Sequence, residues 1–179
     1  MNNITLNTLL ANNLFINNTW VDKSKISNVC PSQKNKFKVK CKNSDNYCLV
    51  TSGIKRYQIL AIYIQEIYGD GIYYCQIDDK NSELFYFLII KNGNVACETD
   101  CIINREMLDF LLSGIDSSAY KNLMVVELTK THFSKIIDEY ELIKRIFSKK
   151  RKQLSILISG LFLIFSLISL FIADYLLNG

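Results

Sequence analysis

The sequence predicts a mixed α+β domain of the α/β layered kind, followed by one C-terminal transmembrane helix. Three observations predict it. Runs of β-branched and aromatic residues are separated by turn residues, and Asn92-Gly93 is a strong two-residue hairpin signal because both positions tolerate positive φ. Between those runs lie stretches whose apolar residues recur at helical spacing. Finally, residues 154–173 are uncharged and almost wholly apolar, with Lys149, Lys150, Arg151 and Lys152 directly before them.

The elements follow in chain order. The stretch to about residue 29 is Asn-rich, with Trp20 and Val21 among its few apolar anchors, and no element is assigned to it. Residues 34–42 place Lys34, Lys36, Lys38, Lys40 and Lys42 at alternate positions, which on a strand share one face, with Phe37, Val39 and Cys41 on the other. Two readings of that face stand: a solvated edge strand whose lysines deter edge pairing, or a partner surface for an acidic protein or anionic lipid. Residues 47–51 read as a short strand. Residues 55–68 read as a helix, with Lys55, Gln58, Gln65 and Glu66 on its polar face, ended by the Gly69-Asp70-Gly71 turn.

Residues 72–77 and 84–91 form an antiparallel pair joined by a polar loop, and the Asn92-Gly93 turn leads to a strand at 94–97. Asn104 can cap a helix over 105–112 that Gly114 ends. Residues 123–128 read as a further strand. From about Thr131, the spacing of Phe133, Ile136, Ile137, Tyr140, Ile143 and Phe147 predicts a last helix without Pro or Gly before the apolar run.

Twenty residues at about 1.5 Å each span roughly 30 Å, the hydrocarbon thickness of a bilayer. A buried core helix is the alternative, and the step from four cations to none argues against it. The expected organisation is a domain over residues 1–150 and a transmembrane helix with its basic flank over residues 151–177. Every Lys and Arg precedes Gln153, so the domain is expected on the cytoplasmic side. Within the helix, Ser155, Ser159, Phe162, Ser166, Ser169 and Ala173 fall on one stripe, an expected interface for self-association or a membrane partner.

Signals of chemistry are thin. The net charge of +4 includes the membrane-flanking cluster and does not point to nucleic acid. The six cysteines, in a cytoplasmic domain, are expected as free thiols; no CxxC pair is present and His132 is the only histidine, so no metal site is expected. Neither a GxxxxGK[ST] phosphate loop nor a GxGxxG turn is present. Asp78-Asp79 reads as a loop tip and His132 as a residue at a helix start. No catalytic residue and no cofactor are expected.

The string from Gly53 through Leu60-Ala61, Gly69–Gly71 and Tyr73-Tyr74, then Phe85-Tyr86-Phe87-Leu88-Ile89-Ile90-Lys91-Asn92-Gly93 and Asp100-Cys101-Ile102-Ile103, carries a resemblance. It resembles the cytoplasmic domains of bitopic inner-membrane proteins of type IVb pilus biogenesis, of the bundle-forming and toxin-coregulated pilus type. The resemblance covers about a third of the chain. It implies an actin-like (ribonuclease-H-like) fold, similar to the cytoplasmic domain of type II secretion L-type proteins. It also implies a non-enzymatic adaptor at the bacterial inner membrane, with a hexameric assembly ATPase and a polytopic platform protein as partners. The phosphate loops of an actin-type ATPase are missing here, and no periplasmic domain is expected. The alternatives are an unrelated tail-anchored membrane protein of viral or phage origin, or a membrane-tethered nucleotide-binding protein.

Overall fold

A computed structural model describes residues 6–24, 37–40, 45–50, 53–78 and 81–178. The chain divides into two units, Met1–Tyr140 and Glu141–Gly179. The first is a mixed α+β domain with two sheets.

A three-stranded antiparallel sheet has the order β1-β3-β2, from Thr19–Asp22, Asn46–Val50 and Phe37–Lys40. The lysine-rich segment thus contributes the edge strand β2, as its alternation predicts. The backbone of Lys38 and Lys40 lies in β2; Lys34, Lys36 and Lys42 lie outside the described residues. Two elements of the N-terminal stretch carry no sequence assignment above: helix α1 (Leu6–Ala11) and strand β1 itself.

The second sheet is five-stranded and is organised around β5 (Asn81–Lys91). Strand β4 (Gly71–Asp78) pairs antiparallel with one side of β5. The other side takes β6 (Asn94–Val95) across a two-residue turn, then β7 (Cys101–Asn104). Both turn residues have positive φ, 53° at Asn92 and 68° at Gly93, as a type I′ turn requires. After β7 come α3 (Arg105–Ser113) and β8 (Val125–Glu127), which returns to pair in parallel with β4. The sheet is therefore an antiparallel meander, β4-β5-β6/β7, whose last strand, β8, lies parallel to the first after a helical crossover.

Three sequence expectations are corrected. The helix predicted over 55–68 begins only at Leu60: Arg56–Gln58 form a 3₁₀ turn and α2 is Leu60–Tyr68. Lys55 and Gln58 thus precede it; Leu60 to Ile64 are all buried, while Gln65 is half-buried and Glu66 exposed. The strand over 94–97 stops at Val95. Strand β7, unassigned above, resumes the pairing at Cys101.

Asn104 caps α3 as predicted: its side chain accepts a hydrogen bond from the Met107 N–H at 2.8 Å. Helix α4 runs from Lys130 to Asn178. Its first turns place Phe133, Ile136 and Tyr140 in the core, where the Tyr140 hydroxyl donates to the Asn12 carbonyl at 2.7 Å. His132 sits at the helix start, its Nδ1 accepting from the Thr129 N–H at 3.0 Å, so it caps the helix.

In the second unit the helix carries a stretch long and apolar enough to cross a membrane, and none of its most apolar window is buried. Lys149, Lys150, Arg151 and Lys152 are exposed helical residues before it. The hydroxyls of Ser166 and Ser169 donate to the carbonyls of Phe162 and Phe165, both at 2.9 Å, so those two serines are satisfied within their own helix.

Candidate functional site

The two faces of the five-stranded sheet are lined by alternate residues of the same strands. Tyr73 and Cys75 of β4 share one face with Tyr86 and Leu88 of β5; Ile72 and Tyr74 share the other with Phe85, Phe87 and Ile89. The first face ends in a buried polar centre and the second in an open apolar pocket.

The polar centre is Asp100, 2% exposed, in the break between β6 and β7. Its carboxylate accepts from the Trp20 indole N–H at 3.0 Å, the Tyr86 hydroxyl at 2.8 Å and the Asn18 side-chain amide at 2.9 Å. The backbone N–H groups of Asn17 and Asn18 donate to it at 3.3 Å each. All five partners are donors, which is what a carboxylate can use and an amide cannot. Burial pushes the Asp100 carboxyl up from its usual range, while the hydrogen bonds from Trp20, Asn18 and Tyr86 pull it back. Burial, then the Asp100 charge, drives the Tyr86 phenol well above its ordinary value. The strand break itself is closed by Thr99, whose hydroxyl accepts from the Ile89 N–H at 3.0 Å and donates to the Ala96 carbonyl at 2.8 Å. This centre ties residues 17–20 to the sheet.

Asp70 works in the same way at the surface. In the Gly69-Asp70-Gly71 turn its carboxylate accepts from the N–H groups of Asn92 and Gly93, at 2.6 and 2.8 Å. The turn is thus a clamp on the β5–β6 hairpin. Cys48 and Cys75 are buried and in no disulfide, with burial pushing Cys75 up to about 12. Cys97 is exposed and Cys101 half-buried, while Cys30 and Cys41 lie outside the described residues. Among the described residues no three His, Cys, Asp or Glu side chains gather in a metal-holding group. Asp78 closes β4 and Asp79 lies outside the described residues.

The other face is covered by α3, whose Leu108, Leu111 and Leu112 pack on Ile72, Phe85, Phe87 and Ile89. The cover is incomplete. A cavity of about 310 Å³ opens between Phe87 and Ile89 of β5, Phe110 of α3, and Gly114, Ile115 and Tyr120 beyond it. Its walls are almost entirely apolar. At its mouth Phe110 is 73% exposed, and Met107, one turn earlier, 48%. Phe110 is foreshadowed in the sequence: on a helix capped by Asn104, it falls opposite Leu108 and Leu112 and between Glu106 and Gly114. Asp100 is not foreshadowed in that way, because its partners at 17–20 lie about eighty positions away with no local pattern linking them.

No protein-family model, curated protein or solved structure matches this chain.

Proposed function

We propose that this chain is a non-enzymatic adaptor of a type IV pilus or type II secretion-like assembly platform in the bacterial inner membrane. In this reading residues 1–150 are cytoplasmic and dock the hexameric assembly ATPase, while the transmembrane helix joins a polytopic platform protein. The observation that carries it is the order of the five-stranded sheet: an antiparallel meander, a crossover helix, and a strand parallel to the first. An actin-like or ribonuclease-H-like sheet begins in the same way, and the string that carries the resemblance supplies β4, β5 and Asp100. The continuation of α4 from core positions Phe133, Ile136 and Tyr140 to Asn178 supports a domain built to be held at a membrane.

The flank Lys149–Lys152 supports an N-terminal domain on the cytoplasmic side. Within the adaptor reading, the stripe from Ser155 to Ala173 is the contact for the platform protein or for a second copy.

Full-length protein purified from membranes in mild detergent should retain the ATPase and the platform protein of its own system. Loss of both partners under low salt would overturn the adaptor reading. ATP turnover by the purified chain that a point mutation within it abolishes would overturn the non-enzymatic part. Reporter fusions should place the N-terminus inside and residue 179 outside.

A further inference from the structure

The cations just before the apolar run are not balanced by any acid. Lys144 pairs with Glu141 at 3.2 Å and is compensated. Lys149, Lys150, Arg151 and Lys152 have no ion pair among the described residues, and all four are exposed. No Asp or Glu occurs between Glu141 and Asp174. Along the helix Glu141 lies about 12 Å before Lys149, beyond the roughly 8 Å over which charge is screened at physiological salt.

Their height and direction are as informative as their sign. With Leu154 at the edge of the hydrocarbon, a rise of about 1.5 Å per residue sets Lys152 about 3 Å and Lys149 about 7 Å above it. The polar layer of a bilayer is roughly 5–7 Å deep on each side, so all four stand within it. Successive helical residues step about 100° round the axis, so these four point to four different sides of the helix. The result is a closed collar of charge rather than a stripe. A protein partner reaches a helix from one side, whereas a layer of headgroups surrounds it.

We infer that Lys149, Lys150, Arg151 and Lys152 gather anionic phospholipid headgroups around the base of the membrane helix. What they recognise is the net negative charge that an anionic headgroup carries and a zwitterionic one does not. Long stems let each charge reach a phosphate while the methylenes stay on the helix. Each cation held at an anionic surface favours it about fivefold. The chain is therefore drawn to regions of bilayer rich in anionic lipid. The inference rests on the membrane-spanning reading of the helix and not on the adaptor role.

The experiment uses full-length protein in vesicles of zwitterionic lipid with a minority of phosphatidylglycerol, the same mixture in both leaflets, so that insertion orientation does not matter. Trace spin-labelled phosphatidylglycerol or phosphatidylcholine reports the fraction of each lipid slowed by contact with the helix. The anionic label should be enriched at least about twofold over the zwitterionic one when averaged over all lipids touching the helix, and high salt should erase the difference. Lys149→Gln, Lys150→Gln, Arg151→Gln and Lys152→Gln together should bring the two labels to parity. The domain's melting should not change, since the collar lies outside the Met1–Tyr140 unit. Exchanging Lys and Arg at the four positions should keep the enrichment. Because a collar acts on all sides, neutralising Lys149 with Arg151, or Lys150 with Lys152, should each remove about half of the excess.

Equal slowing of both labels by wild type would overturn the inference, as would enrichment unchanged in the fourfold variant. Loss of the whole excess with one pair and none with the other would also overturn it, because the contact would then be one-sided. So would wild type that shows no lipid preference but binds a polyglutamate peptide through these residues, which would make the partner a protein. Alkaline carbonate extraction separates the two readings. Wild type that resists extraction but shows no anionic preference defeats only this inference; wild type that is extracted defeats the membrane-spanning reading and the collar with it.

Discussion

The two faces of the five-stranded sheet share their strands but not their finish. On the Tyr86 face, Tyr73, Cys75 and Leu88 are buried, and the buried carboxylate of Asp100 takes five donors from residues 17–20 and Tyr86. On the Phe87 face, one short helix covers the sheet and leaves an apolar cavity with Phe110 at its mouth. A buried carboxylate is tolerable only when fully hydrogen-bonded, so the first face cannot open without leaving donors and acceptor stranded. The second face has no such constraint. Its cover, α3, rests on the sheet chiefly through apolar side chains.

Removing Asp100 is the most severe way to test that contrast. Asp100→Ala strands the Trp20 indole, the Tyr86 hydroxyl and three N–H groups of Asn17 and Asn18. We expect a loss of about 4 kcal/mol or more in urea denaturation, which for a domain of this size approaches complete unfolding. Asp100→Asn should be milder yet still destabilising, because its amide points a donor at donors. A change below about 1 kcal/mol for Asp100→Ala would show that the face is not sealed by this centre.

Thiol chemistry reads the same contrast without mutation. Cys75 lies on the Tyr86 face, buried and pushed up to about 12, whereas Cys97 is exposed. Near pH 8, Cys97 should react with a maleimide at the rate of a free thiol, and Cys75 at least about a hundredfold more slowly. Cys75 also predicts alkaline weakening. Its folded value lies above the ordinary 9.0, so above that pH the unfolded thiol loses a proton that the folded one keeps. Stability should fall as pH rises from 9.0 towards about 12, and Tyr73, raised by burial from 10.0 to about 12, adds to the same fall. Equal labelling of the two cysteines in the native protein would contradict the account.

Smaller effects belong to local caps. Asp70→Ala frees two turn N–H groups and should cost about 1 kcal/mol, seen as faster amide exchange at Asn92 and Gly93. Asn104→Ala should cost a similar ~1 kcal/mol, with exchange rising in the first turn of α3 but not around Asp100. Ser166→Ala should change helix association least, below about 0.5 kcal/mol, since its hydroxyl is already bonded to Phe162.

What was legible in the sequence was what local rules write. The Asn92-Gly93 hairpin, the Asn104 cap, the helix after Thr131 and the apolar run beyond Lys152 each declare themselves within a few residues. Three things were not. Helix α2 buries its first five residues in succession, so its periodicity carried no boundary, and the polar residues at 55 and 58 were drawn into it. Strand β7 is interrupted from β6 by residues 96–100, so no alternation spans the two. The Asp100 centre is a meeting of distant segments, and a single sequence contains no term for such a meeting.

The central claim is that the Asp100 centre seals the Tyr86 face while the cover on the Phe87 face is the looser one. Amide hydrogen exchange on the full-length protein in membrane discs tests it most directly. The account predicts slower exchange for Asn17–Trp20 and the residues around Asp100 than for α3 and the segment through Tyr120. Faster exchange around Asp100 than across α3 would contradict it.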